Sequence, residues 1–547
     1  MRLALLRWKP RLVAGLIFFA LAAPFRLPAQ PDSDASAPAT WGAWPKWGDQ
    51  GDGTYRNPVL PADYSDLDCI GVGADYYAIS STFQFSPGVV ILHSRDLVNW
   101  TIQGHAVPDL TQIGPELNWD HMNRYGRGIW AGSIRFHAGR FWIYFGTPDE
   151  GYFMTSAPAI NGPWTPLHAV LRQAGWDDCC PFWDDDGQGW FVGSNFSEGY
   201  QIHLWKLTPD GRDLIPEPNR VIYQSKGSEA NKLYKINGVY YHFFSEVHPE
   251  GRVIMMERAT NIAGPYLEKR QLKRADREAF EPNQGGFVTG PDSQWYFFTH
   301  HGRGDWEGRA ASLLPVTWRD GWPLVGAIGT DGLGRMVWGG RKPLPDSPVV
   351  TPQSSDEFDG PDLQPQWEWN YQPRAGQWSL AERPGWLRLH AFRPLETNNL
   401  LTAGDTLTQR SFRTPRSEAV VKLDLGGMAD GQQAGLCHFS KHYSALGVWQ
   451  EGAVRWLVRL DNGLVSERQP LAGQQLWIKS VWGLDGRSQF SYSTDGKTFT
   501  NFGLPAQLVW GWYRGDRLGI YSFNSKSDAG YVDADYFRYN YTSGSAR

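Results

Sequence analysis

Cysteine and methionine are scarce in this 547-residue chain, which has 4 and 7 of them. Cys69, Cys179, Cys180 and Cys437 are too few to staple so long a chain, and no Cys-x-x-Cys pair offers a structural zinc site. Apolar burial therefore has to stabilise each domain, and free buried thiols are expected. An excess of basic residues is missing too: 52 Lys and Arg stand against 57 Asp and Glu, a formal net charge of −5. That excludes the broad basic surface that neutralises phosphates, so no nucleic-acid partner is expected. The long apolar run at residues 12–25 falls short of the ~20 residues a membrane-spanning helix needs. It follows Arg2, Arg7, Lys9 and Arg11 and runs to Leu27-Pro-Ala29, the pattern of a secretory signal; a retained anchor is the alternative reading. Residues 1–29 are expected to be removed on export to the periplasm or the medium, leaving no membrane contact. His-Glu-x-x-His, a Walker loop and a Gly-x-Ser-x-Gly elbow are all absent, which sets aside the chemistries those motifs serve.

What is present is aromatic and turn-rich, with Trp 28, Tyr 23, Phe 27, Gly 61 and Pro 37. This composition suits many short strands joined by tight turns, and flat indole faces suit sugar rings. Between residues 54 and 342 one local pattern recurs: an apolar run, a Gly or Asp turn, then an aromatic pair starting the return strand. Val72-Gly-Ala-Asp-Tyr-Tyr77, Phe136-His-Ala-Gly-Arg-Phe-Trp142, Trp183-Asp-Asp-Asp-Gly-Gln-Gly-Trp-Phe191, Tyr234-Lys-Ile-Asn-Gly-Val-Tyr-Tyr241 and Val288-Thr-Gly-Pro-Asp-Ser-Gln-Trp-Tyr296 carry it. Five units of about 50 residues predict a five-bladed β-propeller of four-stranded blades, with an irregular sandwich as the alternative. A second echo, Ala159-Ile-Asn-Gly-Pro-Trp164 and Asn261-Ile-Ala-Gly-Pro-Tyr266, recurs two periods apart. Residues 30–53 read as an aperiodic leader over this domain, and the proline-rich residues 343–354 as a linker. Residues 355–547 remain β in pattern: Val421, Leu423 and Leu425 alternate with Lys422 and Asp424, and Asp461-Asn-Gly463 marks a hairpin. An all-β chain is predicted, a propeller followed by a concanavalin-like antiparallel sandwich.

In a propeller, equivalent positions at the starts of blades converge at one end of the axis. Asp66, Asp178 and Glu229 occupy such positions before the first, third and fourth repeat hairpins. Two carboxyl groups across a sugar can serve as general acid and general base, with a third raising the acid's pKa. Read from the repeat alone, hairpin capping accounts for the same three residues equally well.

These segments resemble glycoside hydrolase family 43, in its branch of β-xylosidases and α-L-arabinofuranosidases with a C-terminal β-sandwich. The likeness rests on Arg56-Asn-Pro-Val-Leu-Pro-Ala-Asp-Tyr-Ser-Asp-Leu-Asp68, Gly128-Ile-Trp-Ala131, Cys180-Pro-Phe-Trp-Asp-Asp-Asp-Gly187, Lys232-Leu-Tyr-Lys235, Asn283-Gln-Gly-Gly286 and Val316-Thr-Trp-Arg-Asp-Gly-Trp-Pro323. Ser355-Asp-Glu-Phe358, Trp378-Ser-Leu-Ala-Glu-Arg-Pro-Gly385 and Leu407-Thr-Gln-Arg410 resemble its accessory domain. The resemblance implies Asp66 as general base, Glu229 as general acid and Asp178 as pKa modulator in an inverting mechanism, with base and acid roughly 6.5–9.5 Å apart. It implies Arg309, Trp130 and Phe83 as substrate-binding residues, and aligns His300 with a histidine of the axial channel that holds calcium in many members. A buried, hydrogen-bonded histidine is the other reading, since calcium prefers oxygen ligands. Asp356 or Glu357 with Asp535 is a second calcium candidate, resting on the accessory-domain likeness, and no cofactor is expected for the chemistry itself. Leu67, Cys179, Ser133 and Asn283 depart from the family pattern beside the expected pocket, which leaves the sugar open. The implied activity is exo-hydrolysis of terminal β-D-xylosyl or α-L-arabinofuranosyl residues from hemicellulose oligosaccharides. An endo-arabinanase and a non-catalytic sugar-binding propeller are the alternatives.

Overall fold

In a computed structural model of the chain, the described residues are 47–275, 283–302, 304–397 and 399–541, so the expected signal lies outside them. They form strands, turns and three-residue 3-10 segments, and among them no helix is long and apolar enough to cross a membrane.

Five sheets follow one another along the first part of the chain. Their innermost strands are Asp68–Val72, Gly132–His137, Trp176–Trp183, Glu229–Ile236 and Gly285–Thr289, each paired outward with its sequence successors. The first four inner strands pack on one another in turn, and the fifth packs on the first. Between the fourth and fifth, the Phe287 N–H donates to the Tyr234 hydroxyl at 3.2 Å. The repeat read from the sequence lands in register: Tyr77, Trp142, Phe191, Tyr241 and Tyr296 all lie on the second strand of their sheets. The two Gly-Pro-aromatic echoes link the third and fourth strands of the second and fourth sheets.

The seams between sheets are tight where the sequence places glycine. A Cβ at Gly286 would sit 2.5 Å from the backbone of Cys69, so the fifth and first inner strands could not approach with any larger residue there. Part of the expected leader is regular: Gly48–Asp49 pairs with Thr54–Arg56, which pairs in turn with Gly339–Arg341, joining the two ends of the propeller.

The second domain is two packed antiparallel sheets. The strand Ser417–Asp424 shows the alternation read from sequence, with Val421 and Leu423 fully buried. The two domains share a sheet and a core. Phe85–Ser86, from the propeller, forms the edge strand of a sandwich sheet by pairing with Glu368–Asn370. One hydrophobic cluster runs from Tyr64 and Trp306 to Trp482 and Tyr539. All four cysteines are free and buried.

Candidate active site

Asp66 precedes the first inner strand in a left-handed conformation, φ 56°, which Asp tolerates better than bulkier residues. Its N–H donates to His300 Nδ1 at 2.7 Å, Ser81 Oγ donates to its Oδ2 at 2.7 Å, and Arg309 donates to its Oδ1 at 2.8 Å. Burial dominates its titration and raises the carboxyl to about 6, against the opposing pull of Arg309.

Asp178 lies in the third inner strand, where the pairing register slips between Asp177 and Cys180. This bulge and a φ of 46° turn its side chain inward. Its carboxylate accepts hydrogen bonds from the Ala230 N–H and the Gln284 amide, and its carbonyl from Asn231 at 2.8 Å. Burial raises its pKa, while Lys232 and these donors oppose the rise.

Glu229 opens the fourth inner strand, which slips between Glu229 and Lys232 with Ala230 at φ 67°. Arg252, held by the Gly227 carbonyl at 2.8 Å, reaches its Oε1 at 3.0 Å.

These three carboxyl groups border one cavity of about 290 Å³. That is just below the roughly 300–1,000 Å³ common for small-molecule sites. Trp130, Phe83 and Arg309, which the family resemblance places here, line it too. So do Asp177, Arg252, Gln284, Phe196, Tyr200 and Tyr513, which the sequence reading did not select. Asp177 stands directly beside Asp178 in the sequence, and that adjacency was the only available signal. Tyr513 had none, because it belongs to the sandwich. Its backbone carbonyl accepts from Ser65 Oγ at 3.1 Å, and its ring lies 5.6 Å from the Arg309 guanidinium and 5.9 Å from Trp130. The close approach that brings it there requires glycine: a Cβ on Gly515 would lie 2.5 Å from the backbone of Glu307.

The calcium expectations find no matching donor set. The His300 ring accepts from Asp66 N–H at Nδ1 and shares Nε2 with Asn283 Oδ1 at 3.2 Å, so both nitrogens serve protein partners. Burial and the Arg309 charge press its pKa well below 6.5, and it acts as an uncharged strut beneath Asp66. In the sandwich, Asp356 caps Phe358 and accepts from Trp367, Glu357 pairs with Arg538, and Asp535 pairs with Lys422. No group of three or more His, Cys, Asp or Glu poised for a metal occurs among the described residues. The Asp184-Asp-Asp-Gly187 segment is a hairpin turn, and the Asp184 carboxylate accepts from Lys235 and Tyr240.

Comparison with known proteins agrees with this geometry. Residues 55–323 match Glycosyl hydrolases family 43, and residues 355–540 match the Beta xylosidase C-terminal Concanavalin A-like domain. A protein of Formosa agariphila named Beta-xylosidase is 35% identical over 90% of this chain and 92% of its own. A Non-reducing end alpha-L-arabinofuranosidase of Bacteroides ovatus is 28% identical over 61% of this chain and 65% of its own. Among solved structures, a Bifunctional GH43-CE chain from Bacteroides eggerthii superposes with TM-score 0.80 at 30% identity, over 90% of this chain and 64% of that one. With the propeller, the sandwich and the shared pocket all in place, the chain belongs to glycosyl hydrolase family 43 and is a glycosidase.

Proposed function

We propose that this glycosidase is exo-acting and inverting, and that it releases terminal β-D-xylosyl or α-L-arabinofuranosyl residues from hemicellulose oligosaccharides outside the cytoplasm. The observation that carries the reading is the convergence of Asp66, Asp178 and Glu229, from three different sheets, on one small cavity that a tyrosine of the second domain overhangs. A pocket of that size seats one terminal pentose, whereas an endo-acting enzyme needs a groove open at both ends. The names of the relatives, a β-xylosidase and an arabinofuranosidase, support the choice of sugars, and the signal pattern of residues 1–29 supports export.

In this mechanism Asp66, ionised, removes a proton from a water molecule as its oxygen attacks the anomeric carbon. Glu229, protonated, gives its proton to the glycosidic oxygen as the bond to the leaving group breaks on the opposite face. Asp66 ends protonated and Glu229 ionised, and exchange with solvent resets both. Asp178 acts through position and charge: fixed by Ala230 and Gln284, it lies against the start of the strand that carries Glu229. Arg309 holds Asp66 in place and offers its guanidinium to sugar hydroxyls.

The test is release of xylose and arabinose from aryl glycosides and arabinoxylan oligosaccharides by the wild type and by Asp66→Ala and Glu229→Ala. Activity in the wild type that falls on the order of 10²-fold or more in both variants is expected. Sugar binding without hydrolysis in all three proteins would identify a lectin-like propeller instead.

A further inference from the structure

Four carboxyl groups face the cavity, and three have evident compensation. Arg309 lies on Asp66, Arg252 on Glu229, and Asp178 has the Ala230 and Gln284 donors with the Lys232 charge nearby. The fourth, Asp177, differs. It is 5% exposed, it lines the cavity, and its Oδ1 is buried with no hydrogen-bond partner. Its backbone is nonetheless fixed, pairing with Ser194 and accepting from the Tyr152 hydroxyl at 2.7 Å.

Successive residues of a strand normally face opposite sides. The register slip after Asp177 and the left-handed φ at Asp178 break that alternation, and both side chains border the same pocket. A lone ionised carboxylate there would be costly, because burial and the charges of Asp178, Glu229 and Asp66 oppose ionisation and the Arg252 charge offsets only part of this. As the neutral acid it offers one O–H donor and an acceptor oxygen, the complement of a sugar hydroxyl. A buried polar group without a protein partner is what a site built to read a hydroxyl leaves exposed to its ligand.

We propose that Asp177 determines specificity in this pocket: its carboxyl group hydrogen-bonds one hydroxyl of the bound sugar, so that glycosides lacking that hydroxyl are rejected. This rests on the reading of the cavity as a pentose site and adds a contact to it; Asp177 takes no part in bond cleavage.

The experiment compares wild type, Asp177→Asn and Asp177→Leu, with folding checked by thermal melts. kcat/KM is measured for an aryl β-D-xyloside and an aryl α-L-arabinofuranoside, each beside its mono-deoxy counterparts. Calorimetry with free xylose and arabinose and their deoxy forms gives a second readout that needs no turnover. The wild type is expected to reject one deoxy position by ~10²-fold or more. Asn, which keeps a donor and an acceptor, is expected to retain most of that ratio, and Leu to reduce it to within about threefold while lowering activity on the full sugar. Equal discrimination by the Leu variant and the wild type, in rates or in binding, would overturn the proposal. So would a wild type that binds sugar and deoxysugar alike. A wild type that binds and discriminates these sugars without hydrolysing them would defeat the proposed function and leave the Asp177 contact standing.

Discussion

At Asp66, burial and a guanidinium pull in opposite directions, and burial wins. A carboxyl near pKa 6 must lose its proton before it can accept one from water, so kcat/KM is expected to fall about tenfold per unit as pH drops below 6. A pH–rate profile with its acid limb near 4 would contradict this. The same shift bears on stability. The folded pKa lies above the ordinary 3.8, so the folded state binds the extra proton between those values and stability falls as pH rises through that window. Asp66→Asn should therefore stabilise the protein by about 1–3 kcal/mol at pH 8 and by little at pH 4, while losing activity. Chemical denaturation at the two pH values measures the difference. The convergence of Asp66, Asp178 and Glu229 on one pocket was legible in the sequence, because all three precede hairpins of the repeat, while Arg309 was reached only through the family resemblance. Arg252 was legible in neither way, since nothing in Gly251-Arg252-Val253 tells that this arginine meets Glu229 across two paired strands.

At the scale of the element, the site depends on two β-bulges, at Asp178 and Ala230, that a period-two reading cannot reveal. The propeller itself was readable because its turns repeat: the aromatic that opens each return strand falls at the same place in every sheet. The bulges break the repeat beside the pocket, so the pattern that exposed the fold concealed the inward turn of Asp177 and Asp178. The bulged strand is braced by Tyr152, whose hydroxyl bonds the Asp177 carbonyl and would lie 2.2 Å from a Cβ at Gly193. Gly193→Ala is therefore expected to displace Tyr152, cost roughly 1–3 kcal/mol of stability and lower kcat/KM by about tenfold. Unchanged kinetics in a folded variant would show that the bulge holds without this brace.

The whole molecule behaves as one unit in its packing, although its sequence reads as two domains. Glu368 of the sandwich, fully buried, binds Arg410 and Arg517 of its own domain and His105 of the propeller. The two guanidinium groups hold its carboxyl far below the ordinary 4.5, against the cost of burial. Its contribution is complete above that value and is lost only in strong acid. Glu368→Gln would strand two buried cations at the junction and should cost about 3–5 kcal/mol, with both domains melting together in a calorimetric scan. Two separated transitions would contradict the shared core. The same junction delivers Tyr513 to the pocket. Tyr513→Ala should raise KM by about tenfold with a smaller effect on kcat, whereas equal losses in both would assign the ring a part in the chemistry. Sequence reading could not reach this residue: the two surfaces it joins are separated by more than four hundred positions, and only folding brings Ser65 to its carbonyl.

Proton NMR of the first minutes of hydrolysis tests the central claim most directly, with an aryl β-D-xyloside and an aryl α-L-arabinofuranoside as substrates. The account predicts that the sugar first appears with inverted configuration, as α-xylose or β-arabinose, before mutarotation mixes the anomers. Initial release of the retained anomer, or of no pentose from either substrate, would contradict it.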